Sequence, residues 1–382
     1  MFKKLISLLM VISLLTLCIG CGTATAPTTT ETTTTTVAAS VTEAATTTTA
    51  NAATDAAVVS AEKKKVAVFL SDLINPFYQQ MIEAGDKAVV DYAAAGYPEI
   101  ELNWFSYDGA IDKEISLIED CIVQGYDALI IEPIDTTGLI PVVNKATDAG
   151  IIVINCGGIV EGTDNYSSIY HDRIQCYTSG MALCTALDGK EGTIGIISGV
   201  AGNWTMEERL AGFTEAISGF PNLKYDVQLT NQDNSKATTI TETWLQSDDI
   251  IGILTISDIY SLLSMAAAES AGRSDLIWAS NDGQPEVYDA IREGKMLCSQ
   301  LIGGYRCGYW NIAAAIRLVA GEEMPKIIYM SATTVMSDVT ASMLAGKGYT
   351  VDYITPDAAE QIYLTYADEF NPSQDVSAIS GQ

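Results

Sequence analysis

From Val66 onward, short apolar runs alternate with segments in which apolar residues recur every three or four positions. Residues 66–71 make an apolar run of strand length. Behind it, Phe77, Met81, Ala84 and Ala88 stand at steps of four, three and four, which puts them on one helical face. Ile100, Leu102 and Trp104 alternate with polar residues, as in a half-buried strand. Ile111, Ile115, Ile118 and Ile122 predict a helix, 128–131 a buried strand, and 138–150 with 151–155 a further helix and strand. A second series follows, with strands at 193–198, 225–230, 250–257 and 276–280 and helices at 206–218, 238–246, 259–271 and 285–294. Apolar strands alternating with helices predict parallel sheets covered on both faces. Two such series within 382 residues predict an α/β protein of two doubly wound parallel-sheet lobes.

The N-terminus follows other rules. Lys3 and Lys4 precede the apolar run 5–17, and Ile19-Gly20-Cys21 follows, so 1–21 reads as a secretory signal peptide too short to be a spanning helix. The Gly20-Cys21 step resembles a bacterial lipobox, in which cleavage leaves a cysteine that carries lipid. Cys18 stands where that pattern prefers Leu. Cys21 is thus the expected lipid anchor on the extracytoplasmic side of the cell membrane. Residues 22–64 are mostly Thr and Ala, with no large apolar periodicity to offset the entropy of ordering, and predict a disordered tether.

The formal charge of −28 argues against nucleic acid and anionic lipid headgroups as partners. Of 8 cysteines, the six beyond Cys21 are far apart and without metal-ligand spacing, which predicts buried free thiols and neither a metal nor another cofactor. His171 is the only histidine, so no His-based triad or zinc cluster can be assembled. It falls near a predicted crossing, where a structural or hinge contact is expected. Reversible binding without catalysis is the expectation; the one enzymatic alternative is glycoside hydrolysis by a carboxylate pair such as Glu132 with Asp282.

In doubly wound sheets, ligands lie beyond the carboxyl ends of the strands. The residues there are Asn75-Pro76-Phe77-Tyr78, Glu132-Pro133, Cys156-Gly157-Gly158, Trp204, Asn231 to Asp233, Ser257-Asp258 and Asn281-Asp282-Gly283. Polar and aromatic residues crowd these tips, whereas the strands are nearly all apolar.

Several ordered motifs carry a family resemblance: Leu73-Ile74-Asn75-Pro76-Phe77-Tyr78, Gly125-Tyr126-Asp127-Ala128, Ala149-Gly150-Ile151-Ile152, Glu208-Arg209-Leu210-Ala211-Gly212-Phe213, Ser280-Asn281-Asp282-Gly283 and Ile291-Arg292-Glu293-Gly294-Lys295. Over residues 65–338 the chain resembles the ribose-binding, sugar-binding class of periplasmic binding proteins, receptors of ABC importers. The resemblance implies the type I fold, with three hinge crossings near 170–172, 301–303 and 332–335. It places one lobe at 65–171 plus 303–332 and the other at 172–302 plus 333–382, with an added helix at 358–366. It implies a monomer that captures a small solute, a sugar or sugar derivative, and delivers it to an ABC permease. A sensory lipoprotein signalling to a membrane kinase or chemoreceptor is the alternative.

The resemblance also implies ligand roles. Asn75, Phe77 and Tyr78 would line the pocket, although Phe77 could instead staple its helix. Asp282 would accept from sugar hydroxyls, or serve as a turn residue before Gly283. Ser257 takes the place of a pocket Asn, and Asp258 is either a ligand residue or a helix cap. Cys156, Gly157 and Asp233 belong to the same set of strand tips, and Trp204 is a stacking lid or a core residue. Departures matter as much. Gly157-Gly158 replaces an Asp-Arg pair, Glu207 stands at a ligand Arg, Arg209 matches a nearby Arg, and Ile302 replaces a Gln. Two guanidinium groups and a carboxylate are therefore expected to be missing, with Glu132 and Glu207 added. The paired glycines predict space for something larger than a pentose, for a substituent, or for a partly cationic ligand with Glu132, Glu207 or Asp282 as counter-charge. Plain ribose is not expected.

Overall fold

The computed structural model describes residues 62–247 and 249–365, together with Pro372. The expected signal peptide, Cys21 and the tether as far as residue 61 lie outside the described residues.

The first apolar series folds as β1 (Lys64–Leu70), α1 (Pro76–Ala94), β2 (Ile100–Ser106), α2 (Ile111–Val123), β3 (Ala128–Ile131), α3 (Ile140–Asp148), β4 (Ile152–Cys156) and β5 (Tyr166–Ile169). The second comprises α4 (Asp172–Ala186), β6 (Gly192–Ser198), α5 (Trp204–Ser218), β7 (Leu223–Leu229), α6 (Lys236–Trp244), β8 (Ile250–Thr255), α7 (Asp258–Ser270), β9 (Trp278–Ala279) and α8 (Tyr288–Arg292). The chain closes with β10 (Cys298–Leu301), α9 (Gly304–Val319), β11 (Ile327–Tyr329), β12 (Thr333–Met336), α10 (Asp338–Gly346), β13 (Tyr353–Ile354) and α11 (Pro356–Thr365). A six-stranded parallel sheet in the order β11-β5-β4-β3-β1-β2 centres one lobe, and a four-stranded parallel sheet β7-β6-β8-β9 the other. A small third sheet, β10-β12-β13, pairs β10 antiparallel to β12. This is the type I periplasmic binding protein architecture.

Strand β1 shows why its run is apolar throughout. Val66, Val68 and Leu70 pack against α1 and α9, while the intervening Ala67 and Phe69 pack against α2 and α3. Both faces are covered, so alternation disappears. α1 and α9 approach so closely that a Cβ at Gly308 would lie 2.2 Å from the Met81 carbonyl oxygen.

Three passages join the lobes, and hydrogen bonds link them to one another. Tyr170 Oη donates to the Ile302 carbonyl at 3.3 Å, and Thr334 Oγ1 donates to Gln300 Oε1 at 2.8 Å. His171 stacks on Tyr329 with centroids 4.5 Å apart. Beyond the third passage, β13 extends the small sheet, and α11 is tied to α8 by Arg292 with Asp357 and Glu360, each at 2.9 Å. No described helix is long and apolar enough to cross a membrane.

Candidate functional site

A cavity of about 320 Å³ lies between the lobes at the carboxyl ends of both main sheets. The first lobe lines it with Ser71, Asp72, Asn75, Phe77, Tyr78, Met81, Asp108, Gly109, Glu132, Cys156 and Gly157. Tyr170, Ile302 and Cys307 stand at its hinge end. Asn203, Thr205, Met206, Arg209, Gln232, Asn234, Ile256, Ser257, Ile259, Tyr260 and Asp282 come from the second lobe.

On the first wall, Asn75 caps α1, its Oδ1 accepting from the Phe77 N–H at 3.0 Å with Pro76 opening the helix. That bond turns the amide nitrogen outward as a donor. Asp72 Oδ1 accepts from the N–H groups of Ile74 (2.9 Å) and Asn75 (2.7 Å) and so holds the loop. Behind the loop runs a relay: Ser71 Oγ donates to Tyr78 Oη at 2.8 Å, which donates to Glu132 Oε1 at 2.6 Å, while the Ser71 N–H donates to Glu132 Oε2 at 3.1 Å. Burial raises the Glu132 carboxyl above its ordinary range, partly opposed by the bond from Tyr78. Burial and then the neighbouring Glu132 raise the Tyr78 phenol. The rings of Phe77 and Tyr78 meet edge to face, centroids 5.8 Å apart.

On the second wall, Asp282 is the pivot. Its backbone adopts a φ of +114°, a region that costs an L-residue about 1–3 kcal/mol. Gly283 follows at φ +69°, where a Cβ would meet Leu301 Cα at 2.2 Å. This turn lies against the hinge strand: the Asp282 N–H donates to the Gln300 carbonyl at 3.0 Å, and the Ile302 N–H to the Asp282 carbonyl at 3.3 Å. The carboxylate accepts from Ser257 Oγ at 2.5 Å and from Arg209 at 3.2 Å. Arg209 also bonds Asp172 at 2.7 Å and the Ile256 carbonyl at 2.7 Å. Desolvation opposes the guanidinium charge, but Asp172 and then Asp282 outweigh it and raise the group further.

Of the residues singled out from sequence, Asn75, Phe77, Tyr78, Glu132, Cys156, Gly157, Ser257 and Asp282 come together on this cavity. Trp204, Glu207, Asp233 and Asp258 do not. Trp204 opens α5, and its neighbours Asn203, Thr205 and Met206 reach the cavity instead. Glu207 is exposed, accepts from the Gly202 N–H at 2.9 Å, and lies about 200° round the helix from Arg209. The arginine counted as absent is thus supplied by Arg209. Asp233 is exposed and accepts from Ser235 Oγ at 2.6 Å in the turn before α6. Asp258 is fully buried beneath Asp282, bonded to Ser299 Oγ at 2.8 Å and the Gln284 N–H at 2.7 Å. Burial, and then Asp282, push its carboxyl up to about 8.

The space expected at the paired glycines is half real. Gly157 lines the cavity, but a Cβ on Gly158 would lie 2.8 Å from the Pro133 ring. Across the cavity, Asn203 Nδ2 donates to the Pro133 carbonyl at 3.0 Å and Thr205 Oγ1 donates to the Gly157 carbonyl, so the lobes touch. Arg209 was findable: it stands four residues before Phe213, on the buried face of α5. Gln232, within the strand tip 231–233, also lines the cavity, whereas Asp108 and Tyr260 carried no comparable signal.

A family model described as the periplasmic binding protein domain matches residues 66–323. The chain belongs to the periplasmic binding protein family. Members of this family bind solutes and are not enzymes, and this binding protein falls in its ribose-binding class of ABC-importer receptors for sugars and polyols. It is 27% identical to the D-ribose/D-allose-binding protein of Pseudomonas aeruginosa over 68% of this chain and 84% of that one. It is 25% identical to the xylitol-binding protein of Mycolicibacterium smegmatis, over 69% and 75% of the two chains. Among solved structures it resembles an ABC transporter solute binding protein from Mycobacterium smegmatis with bound glycerol, at 25% identity and a TM-score of 0.67, covering 77% of this chain and 100% of that one.

Proposed function

We propose that this binding protein captures a sugar or polyol between its lobes, outside the cytoplasmic membrane, and delivers it to an ABC permease while held to the membrane by lipid on Cys21. The observation that supports capture is the Asp282 turn. Its carboxylate faces the cavity and its backbone bonds the hinge strand at Gln300 and Ile302, so contact with a ligand and position of the lobes share one residue. Asn75, Tyr78, Ser257 and Asp282 supply donors and acceptors for hydroxyl groups, with Arg209 fixing Asp282. Phe77, Met81, Ile256 and Ile302 offer surface to the C–H face of a sugar ring.

Thermal unfolding against a panel of pentoses, hexoses, polyols and amino acids tests the reading. A ligand at a hundredfold excess over its dissociation constant stabilises by about 2.7 kcal/mol. Asp282→Asn should lower the affinity of that ligand at least tenfold. A panel in which amino acids alone raise the melting temperature would overturn the proposal. Incorporation of labelled palmitate, lost in Cys21→Ala, tests the anchor.

A further inference from the structure

Four carboxylates line the cavity, from Asp72, Asp108, Glu132 and Asp282, against the single guanidinium of Arg209. Two of the four pair with a cation, Asp282 with Arg209 and Asp108 with Lys113. Asp72 has none among the described residues and is tied into its own loop by two backbone N–H groups. Glu132 has none either. The Tyr78 hydroxyl and the Ser71 N–H donate to its two oxygens, the Tyr107 hydroxyl stands beside it as a further neutral donor, and no cation pairs with it among the described residues. A carboxylate has about four acceptor sites, so at least one is left for a ligand. A part-buried carboxylate with neutral donors alone has no partner for its charge, which is costly beside rings and aliphatic groups.

Arg209 cannot supply the missing cation, because it is committed to Asp172, Asp282 and the Ile256 carbonyl. Tyr78, bonded to Glu132 through its hydroxyl, and Phe77 line the same cavity, and aromatic π-systems attract a cation within about 6 Å. Carboxylate and rings together make a receptor for an ammonium group. A sugar hydroxyl could donate to Glu132 but would leave the charge in place.

We propose that the cleft is built for an aminated ligand, an amino sugar or amino polyol, whose protonated amine sits against Glu132 and the rings of Tyr78 and Phe77. This rests on the sugar or polyol reading above and narrows it.

Isothermal titration with matched pairs tests it: D-glucose with D-glucosamine, D-galactose with D-galactosamine, myo-inositol with an aminodeoxyinositol, and the N-acetyl form of each amine. At least one amine should bind tenfold or more tighter than both its hydroxyl parent and its uncharged N-acetyl form. Glu132→Gln, which keeps the shape and an acceptor, should bring that ratio to within about twofold. The comparison among ligands needs no variant, so it decides even if Glu132→Gln folds poorly. Parents binding as tightly as their amines, or a preference that survives Glu132→Gln, would overturn the inference and leave the sugar reading standing. If no member of either series binds, the inference falls as well, and the wider thermal panel decides the sugar reading separately.

Discussion

Asp282 and Glu132 face one cavity from opposite lobes and are held by opposite means. Asp282 belongs to a charge network in which one guanidinium serves two carboxylates, Asp172 and Asp282, and its backbone is bent into a positive φ to aim it. Among the described residues, Glu132 sits just past the end of β3 and is held by tyrosine hydroxyls, a backbone amide and no cation. The second wall therefore holds a cation before a ligand arrives, shared between two carboxylates, whereas the first holds none at Glu132. A cationic ligand meets a partly compensated carboxylate at Asp282 and an uncompensated one at Glu132.

The largest break in this comparison comes from removing the shared cation. Arg209→Met leaves Asp172 and Asp282 buried and unpaired, and should cost about 3–5 kcal/mol of stability in urea unfolding. An effect below 1 kcal/mol would mean that the network is not what stabilises the second wall.

The first lobe offers a pH test. Glu114, fully buried on α2, accepts from the Ile134 N–H at 3.3 Å, two residues beyond Glu132. Burial pushes its carboxyl up to about 8, against 4.5 in the unfolded chain. The fold thus binds more protons than the unfolded chain between those values, so this contribution to stability is full below about 4.5 and is lost as pH rises to about 8. Glu114→Gln stays neutral and should be more stable than the parent at pH 8 by roughly 4 kcal/mol, with the gap down to under about 1 kcal/mol at pH 5. Melting curves across that range check it; a gap that does not change with pH would show that Glu114 is not the titrating group.

The smallest effect sharpens the contrast between the walls. Tyr78→Phe removes the hydroxyl from Glu132 and should cost about 1.5 kcal/mol of stability. In the Glu132→Gln background the same change should cost less, because the acceptor is no longer charged. Equal costs in a double-mutant cycle would remove Glu132 from the account of that bond.

Much of the fold was legible because burial on both faces forces apolar strands, and β1, β3, β6 and β8 declared themselves in this way. α9 and α4 escaped for a related reason. Nearly every residue of α9 is buried, Arg306 and Asn311 included, so burial there does not follow polarity. α4 is buried through small polar residues, among them Thr178, Ser179 and Thr185, which carry no apolar stripe. β5 hides Ser167 and Ser168 in the same manner.

The site was legible as strand tips, and nine of the positions named there reached the cavity. The errors were of direction. Glu207 and Arg209 differ by two residues, and helix rotation alone decides which enters the cleft. Asp258 and Asp282 both follow strands, and depth alone makes one a buttress and the other a wall.

The amino-acid sequence by itself determined the class of fold, the two lobes and the band of polar residues at the strand ends, because these follow from local periodicity and from which residues can be buried. Tertiary structure alone decided which carboxylate meets Arg209 and which meets neutral donors such as Tyr78 and a backbone amide. Those partners lie tens of residues apart in the chain, and pairing between charges depends on distance in space, which no local pattern records.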